Sequence, residues 1–190
     1  MLSIYYVNMV YSMNNQGLSM EINIRKAIPE DAYNFTDCHI SCWQSAYKNI
    51  VPKKYLENMS IEKEKRAENY KNSLTNPGDC SYYCVMYAEK MIGFVIINIS
   101  HNEDKSGIGE IWAIYLLEEF CGKNYGKILL DFAINELNRM AQKNIFLWVF
   151  EENYRARHFY EKNNFRYNGI KREVDWYGKP LVQLQYVLKR

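Results

Sequence analysis

Gly122-Lys123-Asn124-Tyr125-Gly126 and Asn153-Tyr154-Arg155-Ala156-Arg157-His158-Phe159-Tyr160 decide the fold. Both fall between Ile111 and Phe165, where the chain reads strand, glycine-bearing turn, amphipathic helix, apolar strand and second helix. Ile128, Leu129, Phe132, Ala133, Leu137 and Met140 recur at three- and four-residue spacing, which predicts a helix over 125–141 that begins at the turn. A helix start gathers unpaired backbone N–H groups and about half a positive charge, and small residues before it let a phosphate approach the backbone. Lys123 and Lys127 add charge there. Two glycines before a helix also mark an ordinary tight turn, and at this point both readings stand. In the second segment Asn153 suits an N-cap, and Ala156, Phe159 and Tyr160 share one helical face. That face is either a packing stripe or the support of a reactive phenol.

Outward from this core, Ile22, Ile24 and Lys26 alternate with Asn23 and Arg25, predicting a first strand over 20–27. Pro29, Glu30 and Asp31 open a helix over 31–47, Asn49 to Pro52 break it, and 54–72 reads as a second helical region. Strands over 82–88 and 91–99 are joined by Glu89-Lys90, short enough for an antiparallel hairpin. A polar loop over 101–109 leads to a strand over 110–117. The unbroken apolar run Ile145 to Phe150 predicts a strand buried on both faces. Strands over 171–176 and 181–188 flank a turn at Tyr177-Gly178-Lys179-Pro180. The sum is a mixed sheet with helices on both faces.

At 190 residues the chain fits one domain, set at 20–190, with 1–19 an appendage of unassigned role and Met20 a candidate translation start. Twenty-four Lys and Arg against 22 Asp and Glu leave a net charge of +2, without a run of like charge to bind nucleic acid or an acidic membrane. The first 24 residues contain no Lys or Arg, unlike a signal peptide, and no segment has the length of an apolar membrane span. Cys38, Cys42, Cys80, Cys84 and Cys121 read as reduced thiols of a cytoplasmic protein. Their spacing, and that of His39, His101 and His158, does not fit a metal site, so no metal is assigned.

Together the two opening segments resemble the GNAT superfamily, acetyltransferases that move an acetyl group from acetyl-CoA to an amine. The resemblance covers about 20–190, and its motifs are most specific over 110–165. It implies an α/β fold with a mixed, mostly antiparallel central sheet, splayed middle strands and helices on both faces. In that family the loop reads Arg or Gln, two residues, Gly, one residue, then Gly or Ala, and its backbone holds the CoA pyrophosphate. Here those positions are Cys121, Asn124 and Gly126, with Gly122 and Lys123 between. Asn tolerates the left-handed backbone best after Gly, so Asn124 keeps the loop shape, as Asn164 does where the family has Gly before Phe165. Cys121 removes the usual donor, a loss that Lys123 or Lys127 is placed to offset.

The resemblance further implies that the backbones of Ile114, Tyr115 and Leu116 bind the pantetheine arm, that the loop from Cys121 through Tyr125 to Lys127 holds the phosphates, and that Asn153 contacts the arm. Asn153 to Phe165 matches the family pattern N-x-x-A-x-x-F-Y-x-x-x-G-F except at Asn164, which makes Tyr160 the acid beside the thioester sulfur. Glu110 is either the acid that takes the amine proton through water or an exposed charge at a strand start, with His101 and Glu118 as weaker alternatives. Trp43-Gln44-Ser45-Ala46-Tyr47 looks like the W-x-x-A-Y segment of a bacterial subgroup. Trp43, Tyr47, Tyr55 and Trp176 are accordingly either cation–π contacts for an amine or packing residues. The expected activity is direct acetyl transfer to an amine of a small molecule or protein. Transfer of a longer acyl group, or a non-catalytic acyl-CoA-binding module, is the competing reading. Family members often form homodimers, but no interface is legible here.

Overall fold

The computed structural model describes residues 9–11, 22–99 and 107–189, the first three as backbone. Met20, His101 and most of the 1–19 appendage lie outside the described residues. Eight strands form one sheet: β1 (Met9–Tyr11), β2 (Ile22–Lys26), β3 (Cys80–Tyr87), β4 (Lys90–Ile99), β5 (Ile108–Leu116), β6 (Asn144–Phe150), β7 (Phe165–Trp176) and β8 (Lys179–Leu188). Their order is β1-β2-β3-β4-β5-β6-β8-β7, antiparallel throughout except for the parallel pair β5–β6. Met9–Tyr11, within the appendage, pairs with β2 and so extends the sheet edge.

Helices α1 (Ala32–Ala46), α2 (Lys53–Ile61) and α3 (Lys63–Thr75) accompany one face, and α4 (Tyr125–Arg139) and α5 (Tyr154–Lys162) the other. The single helical region expected over 54–72 is two helices that meet at Glu62, whose backbone (φ −90°, ψ 18°) leaves helical geometry. In β4, Phe94 and Ile96 face the α1 side while Val95 and Ile97 face α4. This strand, rather than β6, is buried on both faces. In β6, Ile145, Leu147 and Val149 are buried but Phe146 and Trp148 are half-exposed. The apolar run therefore misled: it records large side chains on both faces, yet among the described residues Phe146 and Trp148 stay half-exposed. Arg172 covers Trp148 in part, its guanidinium 4.1 Å from the ring centre.

Buried Leu129, Leu130, Phe132, Ala133 and Leu137 seat α4 against the sheet. Buried Glu136 is satisfied by Tyr83 (2.8 Å) and Arg139 (2.9 and 3.1 Å), which removes most of the cost of an interior carboxylate. Arg157 donates to the Tyr186 hydroxyl (3.1 Å), which donates to Glu161 (2.7 Å), fastening α5 to β8. Among the described residues no helix is long and apolar enough to cross a membrane.

Candidate active site

β5 and β6 pair only from Ile108–Asn144 to Glu110–Phe146, although β5 continues to Leu116 and β6 to Phe150. Past Glu110 the two strands part, leaving the β6-facing backbone edge of β5 without a ladder partner. On its other edge β5 stays paired to β4, with one irregularity: Ile111 faces Ile97 and Ala113 faces Ile96, so Trp112 is an extra residue in a β-bulge. Trp112 is 57% exposed as a result. Gly93 permits the close approach of β4 and β5, since a Cβ there would lie 2.5 Å from the Tyr115 carbonyl oxygen.

A cleft of about 770 Å³ occupies the splay. One wall is the start of α4. Gly122 (φ 76°) and Asn124 (φ 65°) both take the left-handed conformation, and no side chain caps the helix among the described residues. The helix start thus faces the cleft with its positive end available to an anion. Asn164 (φ 65°) makes the same backbone exchange after α5. Cys121 Sγ lies 3.6 Å from the Leu117 carbonyl, turned to the preceding bend. Lys48, Lys127, Arg155 and Lys162 also line the cleft, against a single acid, Glu118. Lys127 is ion-paired with Asp131, and Arg155 lies 3.6 Å from exposed Glu118, a pair worth little in water. The four cations and the helix start fit a ligand carrying several phosphate charges.

The other wall is α5. Asn153 Oδ1 accepts from the Ala156 N–H (3.1 Å), capping the helix, and Asn153 itself lines the cleft. Ala156, Phe159 and Tyr160 follow on the cleft face. A Cβ on Gly126 would sit 3.5 Å from Phe159, so the two walls touch at the loop. Tyr160 is 8% exposed, and burial raises its phenol. Tyr47, from the end of α1, and Tyr115, from β5, complete the floor with their hydroxyls 3.0 Å apart. Burial pushes Tyr47 up to about 12 and Tyr115 well above its usual value. All three phenols are neutral at working pH.

The remaining sequence candidates fall elsewhere. Tyr125 is buried in the α4 core, so only its backbone belongs to the loop. Lys123 stands over the Phe120 ring (5.5 Å) and off the cleft wall. Trp43, Tyr55 and Trp176 form an aromatic cluster behind Tyr47, with ring centres 4.8–5.5 Å apart. The Arg66 guanidinium is already 5.8 Å from the Tyr55 ring. Glu110 sits half-buried at the root of the splay, where burial raises its carboxyl and Arg172 pulls it back. Of the residues the sequence reading passed over, Arg155 and Lys162 had a signal: seven residues apart, they flank the Ala156–Phe159–Tyr160 face. Trp112 had none, because nothing in strand alternation announces a bulge.

With this geometry in view, comparison with known proteins is direct. A sequence profile of the acetyltransferase (GNAT) family matches residues 41–165. The chain belongs to that family and is an acyltransferase of the N-acetyltransferase class. It is 26% identical over 171 residues to the spermine/spermidine N(1)-acetyltransferase of Bacillus subtilis, covering 86% of this chain and 97% of that one. It is 28% identical over 150 residues to the spermidine N(1)-acetyltransferase of Thermoplasma acidophilum, covering 77% and 89%. The PaiA N-acetyltransferase of Thermoplasma acidophilum, crystallised with coenzyme A, superposes with a TM-score of 0.67 at 25% identity over 87% of this chain and 98% of that one.

Proposed function

We propose that this protein transfers the acetyl group of acetyl-CoA to a primary amine by direct attack in a ternary complex. The observation that carries this reading is the parting of β5 from β6 beyond Glu110, which opens one cleft onto both the uncapped start of α4 and Tyr160. Acetyl-CoA supplies a thioester, whose carbonyl takes the amine and whose sulfur leaves with the electron pair. The loop from Gly122 to Gly126 and the start of α4 hold the phosphates, assisted by Lys127, Arg155 and Lys162. The free backbone edge at Ile114 to Leu116 and the Asn153 amide hold the arm. Tyr160, kept protonated by burial, donates to the sulfur as charge gathers there. Glu110, at the root of the splay, receives through water the proton the amine must lose.

Two thiols line the same cleft and neither suits a covalent relay. The neighbouring Cys38 thiol and burial hold Cys42 protonated, and Cys121 turns toward the Leu117 carbonyl. A thiolate is the reactive form, so the acetyl group passes straight to the amine.

Thiol release from acetyl-CoA, measured against a panel of amines that includes spermidine, amino acids and peptide amines, tests the reading. Turnover that depends on one amine class is expected. Tight CoA binding with no turnover on any class would support the non-catalytic module instead, and faster release from butyryl-CoA than from acetyl-CoA would favour a longer acyl group.

A further inference from the structure

Around the splay Trp112 is exposed, and Phe146 and Trp148 are half-exposed. Register sets Asn98, Glu110 and Phe146 side by side across β4, β5 and β6. Two residues further on, Trp112 and Trp148 border the opening of the cleft. The guanidinium carbon of Arg172, an exposed residue of β7, lies 4.1 Å from the Trp148 ring centre, and its Nε donates to Gln183 at 2.7 Å. Those two contacts hold the guanidinium beside the Trp148 ring. Its two terminal nitrogens have no hydrogen-bond or ion-pair partner among the described residues. Glu110 is near enough for Arg172 to act on its charge, yet no ion pair joins them within 4.0 Å.

A guanidinium with free terminal donors, beside a ring that lines the cleft, matches a planar carboxylate. A polyamine carries only ammonium groups and would meet a resident cation here. The aromatic cluster of Trp43, Tyr55 and Trp176 offers such a substrate no better cage, because Arg66 already occupies its Tyr55 side.

We infer that the acceptor is an amino-acid-like molecule, its carboxylate bound by Arg172, its amine directed to Glu110 and its carbon skeleton laid between Trp112 and Trp148. The inference rests on the proposed acetyl transfer for the direction in which the amine points. The carboxylate contact stands independently of it.

The test uses the full chain, with CoA present for binding and acetyl-CoA for turnover, and the probes are the twenty free amino acids, their carboxamides and spermidine. Binding is followed by tryptophan fluorescence and turnover by thiol release. A free amino acid should bind about tenfold or more tightly than its carboxamide, the worth of a charged hydrogen-bonded pair. Arg172→Gln should erase that preference, and Arg172→Lys should restore only part of it, since an ammonium keeps the charge without the fork. Equal binding of acids and carboxamides, a preference that survives Arg172→Gln, or spermidine as the tightest ligand each overturns the inference. Acetylation of spermidine alone sinks the amino-acid assignment and upholds acetyl transfer. Carboxylate-selective binding without thiol release upholds the Arg172 site and counts against acetyl transfer.

Discussion

Asn124 and Asn153 stand at the starts of the two helices that wall the cleft, and they act through different parts of the residue. Asn124 contributes its backbone: at φ 65° it turns the chain into α4 and leaves the helix without a side-chain cap. Asn153 contributes its side chain: at φ −84° its Oδ1 takes the Ala156 N–H and closes the start of α5. One helix end is left open to an anion and the other is sealed. In the proposed reaction the phosphate charge goes to α4, while α5 serves as a rigid mount for Tyr160. On that proposal two identical residues divide binding from chemistry.

The largest expected effect separates the two walls. Tyr160→Phe removes the donor to the sulfur and should lower turnover by about ten- to ten-thousandfold with CoA affinity retained; steady-state kinetics beside CoA titration reads both. Unchanged turnover would return α5 to a purely packing role. Next, Asn124→Val forces a β-branched residue into the left-handed region at a cost of roughly 1–2 kcal/mol, which should weaken CoA binding by about tenfold. Asn124→Gly should bind CoA at least as well as the wild type, and a loss in both variants would mean that the side chain, not the backbone, does the work.

On the sealed side, Asn153→Ala should cost about 1 kcal/mol and lower Tm by about 2–4 °C. Asn153→Asp, which keeps an oxygen acceptor for the cap, should recover that loss. Thermal unfolding distinguishes a cap from a bystander: equal melting of Asn153→Ala and wild type would deny the cap its energetic role. The smallest effect concerns Glu110. Burial raises its folded-state pKa above the unfolded value, so folding favours the protonated form. Its contribution to stability is present below the unfolded pKa and lost as pH rises through the folded one. Glu110→Gln should therefore melt slightly higher than wild type at pH 7, with the gap closing toward pH 4. A gap that widens in acid would contradict this sign.

Much of the cofactor wall was legible because its signals are local. The α4 periodicity, the left-handed tolerance of Asn124 and the Asn153 cap each depend on a few consecutive residues, and the structure places them accordingly. What was not legible depends on contacts across the sheet. The run Ile145 to Phe150 looked doubly buried, yet Phe146 and Trp148 stay half-exposed. Trp112 reads as one more alternating strand residue until β4 skips it. Trp43, Tyr55 and Trp176 read equally as amine contacts or as packing residues, and only the fold shows them clustered with Arg66 beside Tyr55. The proposed acceptor side draws Trp112, Trp148 and Arg172 from three separate strands, so no single stretch announces it.

Titration of CoA into the wild type, Tyr160→Phe and Asn124→Val, with thiol release measured on the same samples, tests the division of labour most directly. The account predicts that Tyr160→Phe binds CoA as the wild type does while losing turnover, and that Asn124→Val binds about tenfold more weakly. Loss of CoA binding in Tyr160→Phe, with Asn124→Val unaffected, would contradict it.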